Sequence, residues 1–208
     1  MSTSYEFDEL YTMFEQRFSL HKGKNDTGSR TELKTLYELA QLVCKGNLGY
    51  ILEIGTFKGY STAVLAAPSP QLEVHTIDPY KEIPPHNSID MWKAKRHAKK
   101  MWRKLKIKQR IKHHKKSSQD LAVENLPSTQ KIGLLYIDGN HESEEGKPAA
   151  ALMDYEKFGR YVSNNGYVVF HDYNRDEEAY CVKQAVEEVI KRTRQQPQMC
   201  ETLAIFSL

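Results

Sequence analysis

Two apolar runs end on residues that suit a metal ion. Lys131-Ile132-Gly133-Leu134-Leu135-Tyr136-Ile137-Asp138 closes on a carboxylate, and Tyr167-Val168-Val169-Phe170 closes on His171-Asp172. Each run reads as a buried strand of a parallel sheet. If the two strands are neighbours, two carboxylates and an imidazole meet at one rim. Such a set needs a cation to offset the repulsion between its acids. Oxygen donors suit Mg²⁺, Mn²⁺ or Ca²⁺, and the imidazole turns the choice toward Mn²⁺ or Fe²⁺. Taken singly, His171 also reads as a packed core histidine and Asp172 as a cap or turn residue.

A second stretch suits a ligand. Tyr50-Ile51-Leu52-Glu53-Ile54 is an apolar strand ending in Gly55-Thr56-Phe57-Lys58-Gly59-Tyr60-Ser61-Thr62. Glycine at a strand-to-helix turn takes positive φ and lets a ligand come close. The spacing is G-x-x-x-G, which is neither the dinucleotide fingerprint nor the P-loop. Phe57 stands where a dinucleotide site needs glycine, which sets an NAD-dependent dehydrogenase aside. Glu53, beside the turn, repels phosphate and suits a cationic ligand. A tight turn with no ligand is the plainer reading of the same residues.

Asp78 ends the next strand, Glu73–Asp78, and lies 23 residues beyond Gly55. An acid there commonly accepts hydrogen bonds from ribose hydroxyls. The plainer alternative is a turn aspartate before Pro79. Ser117, Ser118, Gln119 and Asp120 follow a further strand, Arg110–Lys115; Asp120 reads equally as a ligand contact or as the cap of a helix starting near Leu121.

These residues need a frame. Apolar residues at helical spacing mark helices over 5–19, from Thr31 to Gly46, from the Gly turn to about Ala67, over 91–105, over 146–162 and over 176–194. Thr31 is read as the cap of the second and Gly46 as its stop, and Asn164-Asn165-Gly166 as a turn. Strand and helix alternate, with room for about one strand after the last helix. The pattern predicts an α/β fold: a doubly wound, mostly parallel Rossmann-like sheet with helices on both faces. Glu53, Asp78, Asp138, His171 and Asp172 then share its carboxyl edge. The division expected is an N-terminal helix and loop, 1–30, covering the site, and a main domain, 31–208.

At 208 residues and 27% charged, the chain suits a soluble globular protein. It has no apolar stretch of roughly 18 residues, so no membrane partner is expected. The acidic N-terminus lacks an apolar signal core, and a cytoplasmic location is expected. Cys44, Cys181 and Cys200 form no C-x-x-C pair and read as reduced packing residues. Thirteen Lys and Arg residues and no acid lie between Lys93 and Lys116. They read as a solvated face with a lysine-protected edge strand, or as a surface for an anionic substrate or RNA. The run lacks the aromatic interleaving of an RNA-stacking surface. Nothing in the chain names the oligomeric state.

Leu-Glu-Ile-Gly-Thr-x-x-Gly-x-Ser-Thr resembles the first motif of class I S-adenosylmethionine-dependent methyltransferases. Ile-Asp-Gly-x-His, then an apolar helix and Gly-x-Val-Val-Phe-His-Asp, resembles the metal-dependent small-molecule O-methyltransferases, the macrocin O-methyltransferase-like enzymes in particular. The resemblance covers about residues 30 to 190. It implies that Glu53, Gly55, Thr56, Gly59, Tyr60, Ser61 and Thr62 hold the methionine part of S-adenosylmethionine, with Asp78 at the ribose and Ser118 and Asp120 near adenine. It also implies that Asp138 borders the cofactor and, with Asp172, ligates a divalent metal (Mg²⁺ or Mn²⁺), and that His141 is the general base. The acceptor implied is a small hydroxylated molecule. At His171 those enzymes commonly carry an acid; after the second aspartate, catechol-type relatives carry Asn where this chain has Tyr173. The alternatives kept beside it are an RNA methyltransferase using residues 93–116 and a nucleotide- or metabolite-binding module without catalysis.

Overall fold

β1, Tyr50–Ile54, is buried at all its positions and lies inside the sheet. A strand covered on both faces needs an unbroken apolar run, and only Glu53 departs from one. The computed structural model describes residues 3–18, 20, 28–81, 90–139, 149–174 and 180–208. β2 (Val74–Ile77), β3 (Ile111–His114), β4 (Ile132–Ile137) and β5 (Val162–Phe170) join β1 in parallel pairings. β6 (Gln198–Cys200) and β7 (Leu203–Ser207) complete the sheet as antiparallel strands. The order is β3-β2-β1-β4-β5-β7-β6. The chain reverses direction across the sheet between β1 and β4, so a crevice opens at their carboxyl ends.

α1 (Phe7–Arg17), α2 (Arg30–Lys45), α3 (Tyr60–Ala66) and α4 (Met91–Lys104) share one apolar core with Ile51, Val74, Leu134 and Tyr136. α5 (Ala150–Phe158) and α6 (Tyr180–Thr193) cover the other face, against Leu52, Leu135, Phe170 and Phe206. The fold is therefore the expected doubly wound α/β sheet with helices on both faces. Burying each large aliphatic side chain contributes about 1.5–3 kcal/mol, so both layers hold the sheet firmly. α1 belongs to this core: Leu10 and Phe14 have no accessible surface, and Phe14 meets Tyr60 edge-on at 5.1 Å. No helix among the described residues is long and apolar enough to cross a membrane.

Several boundaries differ from the sequence reading. Ser29, not Thr31, caps α2, through a reciprocal capping box with Glu32. Gly46 does stop α2 as its C-cap, but in a right-handed conformation, and the left-handed residue is Asn47. No α-helix starts at Leu121; a short 3₁₀ turn, Val123–Asn125, stands there before Pro127, so Asp120 caps no α-helix. Asn164-Asn165-Gly166 does not end a helix-strand connection. It lies within β5 as an irregularity, between the pairings Ile132↔Val162 and Leu134↔Tyr167. The backbone of Asn165 and Gly166 is instead bonded to Leu208. The C-terminus holds a full hairpin, where one strand was expected.

The basic stretch divides between α4 and the edge strand β3. Ala94, Ala98, Met101 and Trp102 face the core, and Trp92 is exposed. Lysines on an edge strand oppose sheet-to-sheet pairing. Cys44 and Cys200 are free and half-buried, and Cys200 Sγ lies 3.2 Å from the Thr35 hydroxyl; the Cys181 side chain lies outside the described residues.

Candidate active site

The turn after β1 is held by the protein's own groups. Gly55 has φ 96°, and a Cβ there would lie 1.9 Å from the Asp138 carbonyl oxygen. The close approach that its glycine permits is thus made by the end of β4. Gly59 has φ 77°, and a Cβ would lie 2.7 Å from the Trp102 ring. The Trp102 indole N–H donates to the Gly59 carbonyl at 3.0 Å, fixing α4 across the turn. Asp78 Oδ2 accepts from the Thr56 and Phe57 N–H groups at 3.1 and 2.9 Å, and Oδ1 from the Tyr80 N–H at 2.7 Å. A carboxylate has about four acceptor sites, so the turn takes most of them and leaves room for about one further bond, such as one to a ribose hydroxyl.

Glu53 has no accessible surface. Its carboxylate accepts from the hydroxyls of Ser61 at 2.6 Å, Thr62 at 2.5 Å and Thr76 at 2.6 Å. Thr56 bonds Thr76 in turn. Burial raises the Glu53 pKa to about 7 against the pull of these hydroxyls, and the Asp138 charge adds to the rise. Glu53 therefore faces a ligand only through Ser61, Thr62 and its charge. Its proton uptake has a stability consequence. Native Glu53 holds a proton that the unfolded chain releases near pH 4.5, so stability falls as pH rises from about 4.5 to about 7. Glu53→Gln is expected to flatten that fall in urea titrations at pH 5 and pH 8; an unchanged slope would assign it to other groups.

Asp138, His171 and Asp172 come together at the ends of β4 and β5. His171 Nδ1 lies 3.1 Å from Asp138 Oδ1 and 3.1 Å from Asp172 Oδ2. One ligand atom from each of the three residues lies within 4.8 Å of the others. Tyr136 donates to Asp138 Oδ2 at 3.0 Å, and burial beside that carboxylate pushes its phenol pKa well up. Tyr136 thus stays protonated and turns Asp138 Oδ1 toward His171. Asp172 sits at φ 63°, which aspartate tolerates. His171 is buried, yet it is not an apolar core histidine. Its ring nitrogens are close to carboxylates but not aligned for hydrogen bonds. Burial opposes its charge, but Asp138 and the neighbouring acids push its pKa up to about 12. The two carboxylates thus converge on a point that calls for positive charge, supplied by a proton or by a divalent cation. Two oxygens and one imidazole nitrogen fit such a cation.

Glu32 is a site neighbour that the sequence reading passed over. Its Oε2 lies 3.6 Å from His171 Nε2 on the far side of the ring. Burial would raise its pKa, but His171, Thr202 and Ser29 hold it at about 2. The S-x-x-E pattern at Ser29–Glu32 marks it as a capping-box acid; nothing local marks its reach to His171. Asp154 was also passed over. It is a buried acid on α5 with its pKa raised to about 6 by burial, and it accepts from Gln119 Nε2 at 2.8 Å. Ser118 is half-buried in the same loop, and Asp120 is exposed. At the opposite side, the carboxyl end of α1 reaches the turn: the Phe18 carbonyl accepts from the Tyr60 hydroxyl. His141 lies outside the described residues, as do residues 82–89.

A doubly wound sheet with acids at its switch point is the frame of proteins that bind a nucleoside cofactor across the strand ends. Residues 52–173 match the family described as methyltransferase domain, and the chain belongs to that family. It is 28% identical over 166 residues to an uncharacterized protein of Acanthamoeba polyphaga mimivirus, covering 77% of this chain and 62% of that protein. The chain thus spans less than two thirds of that relative's length. The fold is shared with the O-methyltransferase NovP, at a TM-score of 0.65 and 16% identity over 86% of this chain and 80% of that one. It is also shared with the O-methyltransferase TomG of Streptomyces achromogenes, solved in complex with SAM, at 0.63 and 19% over 99% and 89%. An O-methyltransferase from Bacillus cereus, solved with SAH, gives 0.60 and 16% over 96% and 87%.

Proposed function

We propose that the protein moves a methyl group from S-adenosylmethionine to a hydroxyl of a small molecule, assisted by Mg²⁺ or Mn²⁺. The observation that carries this reading is the acid-lined carboxyl edge of a methyltransferase-family sheet. Asp78 and Asp138 place carboxylates there, and Glu53, buried behind them with its pKa raised to about 7 by burial and by the Asp138 charge, adds a charge that builds up as the pH passes neutrality. A sulfonium and an ammonium group relieve that charge, whereas NAD brings two more anions. TomG and the Bacillus cereus enzyme, which share the fold, were solved with SAM and SAH.

In this reading the turn from Gly55 to Thr62 takes the methionine part, Asp78 the ribose, and Ser118 and Asp120 the adenine. S-adenosylmethionine supplies the electrophilic methyl group. Asp138, His171 and Asp172 would hold the divalent cation, which when bound would lower the pKa of the acceptor hydroxyl. His141 takes the proton, as the resemblance to the metal-dependent O-methyltransferases implies. Residues 1–30 cover the acceptor, with α1 anchored at Tyr60, and residues 31–208 form the methyltransferase domain. Alignment of acceptor oxygen, methyl and sulfur supplies most of the remaining acceleration.

Calorimetry tests this: S-adenosylhomocysteine is expected to bind and NAD not to bind. NAD binding with no response to S-adenosylhomocysteine would overturn the reading. The acidic rim repels phosphate, which favours a small acceptor over RNA. Charge reversal at Lys99 and Lys104 is therefore expected to leave methyl transfer intact. RNA binding that weakens steeply with salt, and is lost in that variant, would assign the basic face to RNA.

A further inference from the structure

We propose that Glu32 is the positioning residue of the metal site, holding the far edge of the His171 ring so that Nδ1 is presented between Asp138 and Asp172. The inference rests on the metal reading above. An imidazole ligates through one nitrogen, and the other, as N–H, needs an acceptor. Nδ1 faces the two aspartates at 3.1 Å each, which leaves Nε2 for the acceptor. Among the described residues the carboxylate that faces Nε2 is Glu32, whose Oε2 lies 3.6 Å away, an ion-pair distance just beyond a hydrogen bond.

Glu32 is itself fixed. Oε2 accepts from the Ser29 N–H at 2.7 Å, and Oε1 from the Thr202 N–H at 3.0 Å and from its hydroxyl. These bonds tie α2 to the β6–β7 hairpin with the carboxylate between them. The backbone at Gly28 closes the same side: a Cβ there would lie 3.6 Å from His171 Nε2. A capping glutamate needs only the helix end, and an exposed position would serve. Glu32 is 2% exposed and sits against His171, which capping alone does not require. Carboxylates behind a metal-bound histidine set its tautomer and orientation, and their loss costs about 10–100-fold in metal affinity.

The test is Mn²⁺ titration of the protein without other ligands, followed by electron paramagnetic resonance. Wild type is expected to bind Mn²⁺ with nitrogen modulation from one imidazole. Glu32→Gln is expected to bind about 10–100-fold more weakly. Glu32→Asp, which keeps the charge but withdraws it by one methylene, is expected to weaken binding as well, and it serves if the glutamine variant does not fold. Ser29→Ala removes the cap and the hydroxyl bond to Glu201 but keeps the backbone N–H that holds Glu32 Oε2, and it is expected to lower the melting temperature while leaving Mn²⁺ affinity as in wild type. Wild-type Mn²⁺ affinity in a folded Glu32 variant would reduce Glu32 to a cap and overturn this inference only. Absence of Mn²⁺ binding in wild type itself would overturn both it and the metal reading.

Discussion

Asp172→Asn is expected to abolish metal binding and to slow methyl transfer on the order of 10³-fold, the scale of several kcal/mol of lost charge stabilisation. S-adenosylhomocysteine binding is expected to stay at the wild-type value. Asparagine is the informative replacement because residue 172 sits at φ 63°. Asparagine tolerates that conformation, while alanine would add backbone strain. The substitution thus removes one carboxylate from the set around His171 Nδ1 without moving β5. The turn at Gly55 and Asp78, on β1 and β2, is separate from it. Metal content, turnover and calorimetry on the same preparation check the three parts. Turnover that ignores both the substitution and a chelator would remove the metal from the mechanism and leave the cofactor reading standing.

Gly55→Val is expected to destabilise the fold by about 4 kcal/mol or more, through backbone strain and a collision with buried backbone. The residue has φ 96°, and its Cβ would sit 1.9 Å from the Asp138 carbonyl oxygen. Neither neighbour can give way cheaply, because the Asp138 N–H is bonded to the Ile54 carbonyl at 2.9 Å and the Gly55 N–H to Ile77 at 2.9 Å. For a chain of this size a loss of that order lowers the melting temperature by about 10 °C. Thermal unfolding by circular dichroism measures it. A melting temperature equal to that of wild type would show that β1 and β4 separate easily at the crevice. Any loss of cofactor binding in this variant follows first from the collapsed turn.

The residues show which parts of the site a sequence exposes. β1 and β4 are central strands of a parallel sheet, covered on both faces, so they read as unbroken apolar runs. The acids that end them stand out for the same reason, and the topology then places Asp138 beside His171 and Asp172. Glu32 could not be read this way. Its local pattern is satisfied by capping α2, and its contact with His171 spans most of the chain. Asp154 interrupts an apolar stripe, and the group it bonds, Gln119, lies 35 residues away in the chain. Asn164-Asn165-Gly166 has turn chemistry, but pairing with Leu208 holds it in the strand. β6 is a short strand, Gln198–Cys200, with two exposed residues, so it offers little alternation to read.

The most direct measurement is a crystal structure with S-adenosylhomocysteine and Mn²⁺, using anomalous scattering to locate the ion. The expected result is the nucleoside across the ends of β1 and β2, and one Mn²⁺ peak ligated by Asp138, His171 Nδ1 and Asp172. A nucleoside bound elsewhere, or Mn²⁺ found away from these three residues, would contradict the proposed active site.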